Sequence, residues 1–405
     1  MKKIKINAVG CALVDYLYAD VSFSSSEFAE YISRTPGDGG IITGGLVFAA
    51  DLEKKSGQKI ETILHAITSG TRWTSRNAGG PALVAALHAG QILPKDIYSC
   101  CFYGARGNDE SGTFISELVS PWLDLRGYTP VEGVTPHTLV LSDPRAAQGH
   151  GERSFINTIG AAGNFTTTSL CDDFFSADIC LFGGTALLPA LHASLGSLVK
   201  RARKNGALTM VNTVYDFVNE KNGRLPWPLG TDCDALAWTD ILAVDYEEAL
   251  KISGKSTAED AAENFLGRGA KLVIITNGKN EITAASTGEI CAFSGIRRYP
   301  VSEYIGNLLK DQPHLRGDTT GCGDNFAGGI LAACARELQS GKTPDAFSLE
   351  TILCEAVSAG AFACMCLGGV YAEKKAGEKN IQLQKIRDEW INQIRNIRHE
   401  NTTKK

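Results

Sequence analysis

The sequence predicts an α/β protein, a Rossmann-like layered α/β/α domain with a largely parallel central sheet. Three observations carry that expectation. Strand-like and helix-like runs alternate for most of the length. Short apolar runs at 178–182, 208–212, 241–244 and 272–276 end at Gly, Asn, Asp or Thr, as buried parallel strands do when their carboxyl ends carry ligand sites. The third observation is a glycine-rich stretch, 317–329, that runs straight into a helix-forming segment at 330–338.

That stretch reads Gly317-Asp318-Thr319-Thr320-Gly321-Cys322-Gly323-Asp324-Asn325-Phe326-Ala327-Gly328-Gly329. Glycines let the backbone take conformations a side chain forbids and let a ligand approach closely. The helix behind them presents unpaired N–H groups and a positive dipole end. Asp324, a carboxylate, therefore stands where an anion is expected to bind. Phosphoryl transfer needs this pairing of an anion cradle with an acid/base group. The plainer reading, a Gly-rich turn capping a buried helix, explains the glycines but not the acidic and hydroxyl residues among them.

The same residues resemble the second signature, D-T-x-G-A-G-D, of the ribokinase/PfkB family of carbohydrate and nucleoside kinases, with Cys322 in place of the usual Ala. The resemblance implies a ribokinase-like fold with a small β-sheet lid. It implies Asp324 as the base that accepts the acceptor hydroxyl's proton, and Gly321, Cys322 and Gly323 as the anion hole. Asp318 would organise the loop beside a monovalent-cation site, which adds K+ to the expected cofactors ATP and Mg2+. Thr319 is expected at the nucleotide.

Length and composition bound the reading. The chain has 405 residues, room for one large α/β domain plus a lid, or for two domains. A net charge of −5 without a basic cluster argues against nucleic acid as a partner. No apolar run approaches membrane-helix length. The start, Met1-Lys2-Lys3-Ile4-Lys5-Ile6, lacks a signal-peptide core, so a cytoplasmic protein is expected. The 12 cysteines are scattered without zinc-site spacing and read as reduced, small apolar residues. The seven His residues form no metal motif.

Taken in chain order, residues 4–9 form the first strand. Asp15 follows just beyond it, and a carboxylate suits a vicinal diol; by resemblance it holds sugar or ribose hydroxyls. Between Asp15 and Gly79 the chain is longer than the family needs. This insertion contains Pro36-Gly37-Asp38-Gly39-Gly40 and a short helix expected to be capped by Ser24 and Glu27. Asn77-Ala78-Gly79-Gly80-Pro81 resembles the family's first signature and opens a helix at 81–89. Gly79 and Gly80 would pass close to the substrate. Val84 stands where relatives carry a substrate-contacting Asn, and Asn77 is expected to compensate.

Residues 138–142 and 153–157 read as a β-hairpin. Lid segments at about 16–76 and 134–160 are thus expected within a kinase domain at 1–380, and the insertion would either pair two copies, as a homodimer through the lid, or shield the site alone. Asn212 ends a strand where relatives contact phosphate. Asp245-Tyr246-Glu247-Glu248 resembles the Asn-x-x-Glu motif, with Glu248 and Asp245 acting through water on magnesium. Thr276 and Gly278 match the Thr-x-Gly that lies against the nucleotide. Gly254-Lys255-Ser256-Thr257 is no P-loop, because Ala249 occupies the first Gly position. Ile386, Trp390, Ile394 and Ile397 at helical spacing predict a C-terminal helix, with a charged tail, over 381–405, docked on its own domain.

The expected function is transfer of the γ-phosphoryl group of ATP to a hydroxymethyl group of a carbohydrate. A nucleoside kinase of the same family is the nearest alternative, and aromatics in the lid would favour it. A non-catalytic sugar- or nucleotide-binding member is the other.

Overall fold

Runs that are apolar on both faces cannot alternate with solvent, and they form the middle of the larger sheet because helices cover it on either side. The computed structural model describes residues 3–35, 37–149 and 151–403. Met1, Lys2, Pro36 of the insertion, and Lys404 and Lys405 of the charged tail lie outside the described residues. In chain order the strands are β1 (Ile4–Gly10), β2 (Leu13–Tyr18), β3 (Leu46–Phe48), β4 (Ser75–Gly79), β5 (Tyr98–Arg106), β6 (Asp124–Pro130), β7 (His137–Asp143), β8 (Glu152–Thr158), β9 (Ile179–Gly183), β10 (Leu208–Asn212), β11 (Ile241–Asp245), β12 (Leu272–Thr276), β13 (Ile282–Thr287) and β14 (Ser294–Tyr299).

Among the described residues the larger sheet runs β14-β13-β12-β11-β10-β9-β1-β5-β6. Every pairing from β12 to β6 is parallel, and β13 and β14 add an antiparallel edge. The carboxyl ends of β1, β9, β10, β11 and β12 therefore lie side by side, at Gly10, Gly183, Asn212, Asp245 and Thr276. On one face the helices Pro81–Ile92, Cys322–Gln339 and Leu349–Ala363 pack in a single apolar core with Ile6, Ala8, Leu181 and Met210. Their small residues allow close approach. Gly329 lies so near the Leu349–Ala363 helix that a Cβ would come 2.6 Å from Ala356 Cα.

The smaller sheet has the order β3-β8-β7-β2-β4, with β7 and β8 antiparallel as the hairpin reading expects. Its pleat gives it two unlike faces. Asp15, Thr138 and Asn157 point to one, where Asn157 Nδ2 donates to Thr138 Oγ1 at 3.0 Å. Tyr18, Leu139, Leu141 and Ile156 point to the other, under insertion helices Ser26–Tyr31, Ala49–Ser56 and Ile60–Ile67, which contribute Phe28, Leu52 and Ile63. The insertion thus covers the outer face of the smaller sheet within one chain.

The first of these helices is capped by Ser25, whose Oγ accepts from the Phe28 amide at 3.1 Å, and not by Ser24 with Glu27. Ser24 Oγ instead meets Ser22 Oγ at 3.2 Å. A Ser24 cap would require the helix to begin one residue earlier, whereas Ser25 is extended (φ −69°, ψ 153°) and so ends the helix there.

Gly254 ends the helix Tyr246–Ser253 in the left-handed region and Thr257 caps the next, so Gly254-Lys255-Ser256-Thr257 is a helix–helix turn. The C-terminal helix spans Glu378–Thr403 and belongs to the main core through Leu383, Ile386, Trp390 and Ile394. Trp390 Nε1 donates to the Pro300 carbonyl at 2.9 Å, which satisfies its polar edge while the ring is buried. Ile397 falls outside the packed stripe and is 39% exposed.

Candidate active site

Asp324 lies in the first turn of the helix Cys322–Gln339, which Gly321 caps at φ +75°. A side chain at 321 would be strained, and its Cβ would sit 2.5 Å from Gly369 Cα. Amides of a first helical turn lack carbonyl partners within the helix. Here the Cys322 amide makes only a long contact, 3.3 Å, to the Thr319 carbonyl, and Gly323 faces open space. The turn supplies N–H groups and the positive end of the helix dipole to the cleft.

Three carboxylates meet there. Asp324 faces the side-chain amide of Asn212 at the end of β10; burial pushes its carboxyl up to about 6, with the amide opposing the shift. Asp15, on β2, is pushed up to about 7, chiefly by burial, restrained by Thr138 and raised further by the charges of Asp318 and Asp324. Glu248, in the first turn of Tyr246–Ser253, is pushed up to about 7 by burial, against a hydrogen bond from the Thr213 hydroxyl, with Asp245 and Asp324 adding to the rise. All three side chains still meet solvent through the cleft; burial is the largest cause of each shift, and like charge adds to it at Asp15 and Glu248. An incoming cation or polar ligand would restore their ionised forms.

Asp318 is held from three sides. Its carboxylate accepts from the Thr320 amide at 2.9 Å, the Gly368 amide at 3.2 Å and the Arg153 guanidinium at 2.9 Å. Arg153 comes from β8 of the lid, so this ion pair joins lid to floor. A monovalent cation at Asp318 would compete with these donors.

Gly79 lies against Asp15, where a Cβ would approach Oδ2 to 2.9 Å, and Gly80 at φ +109° would drive a Cβ into the Cys11 carbonyl. Both glycines leave room that a side chain would fill. Asn77 pairs in register with Asp15 and so shares its face of the smaller sheet, but its amide is spent on protein carbonyls. Its Nδ2 donates to the carbonyls of Leu367 (2.7 Å) and Val370 (3.0 Å), which commits both amide hydrogens to the loop behind the anion hole. Val84 is buried against the same loop, a Cβ at Gly369 lying 3.1 Å from its Cγ2.

Thr276 pairs in register with Asp245 at the strand ends, two strands across from Asn212, and Gly278 follows in an exposed turn. Thr319 is exposed in the loop that leads to Gly321. Asn212 Nδ2 is buried without a hydrogen bond of ordinary length, which leaves a donor for a phosphate oxygen. Among the described residues no three His, Cys, Asp or Glu side chains form a metal-binding group. Glu248 is a single deep carboxylate, and Asp245 Oδ1 accepts from the Glu247 amide at 3.0 Å. Such a set fits a hard cation that keeps most of its waters and is held mainly by nucleotide phosphates.

Sequence reasoning missed the layer beneath the site. Asn325 Nδ2 donates to the carbonyls of Gly321 and Gly369, each at 2.9 Å, and so ties the anion-hole turn to its neighbouring loop. Asn325 Oδ1 in turn receives Lys379 Nζ at 3.2 Å and contacts His88 Nδ1 at 3.2 Å. Lys379, from the C-terminal helix, also donates to Gln91 Oε1 at 2.9 Å. Burial pushes its ammonium down to about 7, against the charges of Cys366 and Glu373. Arg153 and Thr138 lay inside the expected hairpin, but nothing in the local sequence names their partners.

Fold and site together define a lidded α/β phosphotransferase class, with its reacting groups at parallel strand ends. The chain belongs to the PfkB family: residues 74–375 match the pattern described as pfkB family carbohydrate kinase. Enzymes of this family transfer a phosphoryl group to an alcohol. Adenosine kinase of Schizosaccharomyces pombe is 24% identical over 279 residues, 65% of this chain and 74% of that protein. Cytidine kinase of Thermococcus kodakarensis is 36% identical over 97 residues, 24% of this chain and 30% of that protein. Among solved structures, adenosine kinase from Schistosoma mansoni with 2-fluoroadenosine superposes with a TM-score of 0.67 at 19% identity, covering 91% of this chain and 97% of that one. A candidate ribokinase II from E. coli, in complex with ATP and Mg2+, gives a TM-score of 0.63 at 19% identity, covering 94% and 99%. Both likenesses confirm the ribokinase-like fold.

Proposed function

We propose that this kinase transfers the γ-phosphoryl group of ATP to the hydroxymethyl group of a furanose, and that the furanose is part of a nucleoside. The observation that carries the reaction is the position of Asp324, a carboxylate in the first turn of a helix whose free amides open on the same cleft. Asp15, buttressed by Thr138 and Asn157, binds the acceptor's diol and fixes its orientation. Asp324 accepts a hydrogen bond from the hydroxymethyl group and takes its proton as the oxygen–phosphorus bond forms. The amides at 321–323 stabilise charge on the migrating phosphoryl group. Asn212, Thr276, Gly278 and Thr319 line the nucleotide side. Glu248, with Asp245 beside it, would hold magnesium through water; the ion, when bound, neutralises phosphate charge. Closure of the lid excludes water. K+ has no role in this mechanism, because Asp318 is already neutralised by Arg153 and backbone amides.

A specific observation favours the nucleoside over a free sugar. Phe48 at the end of β3 faces the main domain and meets Phe217 edge-on at 6.0 Å, and Phe217 contacts Tyr215 at 4.8 Å. All three rings are half-buried, and they form an aromatic wall just beyond the end of β10. A flat aromatic base gains more from such a wall than a free sugar does, because it adds ring–ring contact to burial. Phe23 and Phe28 serve elsewhere, stacked on each other in the outer core at 4.4 Å.

The test is ADP release from ATP across a panel of nucleosides, free sugars and sugar phosphates, with Asp324→Ala as control. A nucleoside hit that vanishes in the control supports the reading. A hit confined to free sugars would replace the acceptor. Ligand-dependent stabilisation without turnover would point to a binding protein.

A further inference from the structure

We propose that Cys322 and Cys364 form a reversible oxidation site that closes to a disulfide across the foot of the anion hole, with a peroxide as oxidant. The inhibitory half of this inference rests on the anion-hole reading of residues 321–323; the chemical half does not. Cys322 opens the helix Cys322–Gln339, and Cys364 caps the end of the helix Leu349–Ala363. Their Sγ atoms are 3.4 Å apart although 42 residues separate them in the chain. A disulfide bond is about 2.05 Å long, so the sulfurs need to close by roughly 1.4 Å. Both residues are half-buried rather than sealed, within reach of a molecule the size of hydrogen peroxide entering from the cleft.

The two thiols are not equivalent. The Cys322 S–H beside Cys364 and the positive Arg316 hold the Cys364 thiol below its ordinary range, while the same contact pushes Cys322 up. Cys364 is therefore the attacking group. Its thiolate attacks one peroxide oxygen; the O–O bond breaks, an S–O bond forms, and hydroxide leaves and is protonated to water. The Cys322 sulfur then displaces hydroxide from that sulfenic acid. An S–S bond forms, the S–O bond breaks, and the Cys322 proton leaves in a second water. Two thiols and one hydrogen peroxide give one disulfide and two waters; a dithiol reverses the step. Cys364 and Cys366 each direct Sγ at the carbonyl four residues back, at 3.5 and 3.7 Å; the 3.4 Å contact with Cys322 is what singles out Cys364.

Closure has a structural consequence. The two helix ends abut, a Cβ at Gly360 lying 3.2 Å from the Cys322 carbonyl, so the backbone has little slack. The movement falls on residue 322, whose amide belongs to the phosphoryl cradle, and displacements of this size cost up to about a hundredfold in rate.

The experiment treats the full-length protein with hydrogen peroxide, with and without ATP and magnesium, and maps non-reduced peptides by mass spectrometry. The expected result is a 322–364 cross-linked peptide, two hydrogens lighter, slowed by nucleotide and lost with dithiothreitol. Kinase activity should fall by at least about tenfold and recover on reduction, whereas Cys364→Ser should keep its activity after the same treatment. Absence of the cross-link, or equal inactivation of Cys364→Ser, overturns the proposal. A cross-link with unchanged activity overturns its inhibitory half. A cross-link in a protein that, when reduced, transfers no phosphate supports the oxidation site and counts against the kinase reading instead.

Discussion

The floor of the cleft is made by strand ends of one nine-stranded sheet and a single helix terminus, whereas the lid is a mixed five-stranded sheet gathered from separate stretches of chain. The floor brings like charges together: Asp324 and Glu248 share it, and both carboxyls are raised. The lid brings one acid, Asp15, one base, Arg153, and an aromatic ring, Phe48. The difference teaches a division of labour. In the proposed mechanism the groups that act on the phosphoryl group stand on deeply packed elements of the larger sheet, and the groups that choose the acceptor stand on the separate, smaller sheet. Contacts between that sheet with its insertion and the main domain include the Arg153–Asp318 pair, the Asn77 amide on the Leu367 and Val370 carbonyls, an Arg76–Glu110 ion pair, the Phe48–Phe217 edge and a Lys221–Asp51 ion pair at 2.8 Å.

The sharpest way to break this comparison is Asp324→Asn. Turnover should fall by about 10³-fold or more, measured as ADP release, while ATP still raises the melting temperature. The same change should stabilise the fold. The folded carboxyl is raised above its ordinary 3.8 to about 6, so its ionisation opposes folding fully above about pH 6 and not at all below about pH 4. Denaturant unfolding at pH 8 should find the Asp324→Asn protein more stable by an amount on the order of 1–3 kcal/mol, and the gain should vanish near pH 4. An equal difference at both pH values would show that Asp324 is not deeply placed.

Acid should act on floor and lid together. Asp15 and Glu248 take up protons near 7 and Asp324 near 6. The kcat/KM of the wild type should therefore fall by at least about tenfold per pH unit below about 6. A flat profile down to about pH 5 would remove these carboxyls from the mechanism. Smaller effects separate the regions. Lys379→Met takes a donor from Asn325 Oδ1, and kcat should fall about tenfold with the KM for ATP unchanged, as loss of one buried hydrogen bond predicts. Phe48→Ala should raise the KM for a nucleoside about five- to tenfold and leave kcat alone; an unchanged KM would move the base away from the lid wall.

The floor was far more legible in the sequence than the lid. Residues 208–212 and 272–276 are strands with the expected bounds, because a strand buried on both faces is marked by its own apolar run. Asp324 and Gly321 carry their chemistry in local spacing. The lid depends on contacts that spacing does not encode. Arg153 meets a partner 165 residues away, and Lys379 meets Asn325 across 54. Asn77 was legible as a polar residue beside a glycine pair, yet its amide went to a loop nearly 300 residues on, because two bare carbonyls there needed donors. The Ser24 cap missed by one position, since Ser24, Ser25 and Ser26 are equally good caps and the extended backbone at Ser25 chooses among them.

The C-terminal helix gives the site an order along the chain. Every strand of both sheets precedes residue 300, and Asp324 follows soon after. The donor that holds Asn325 arrives only with Lys379, and Trp390 then fastens that helix to the Pro300 carbonyl. The support of the turn at 321–323 thus comes from a helix that follows both sheets along the chain.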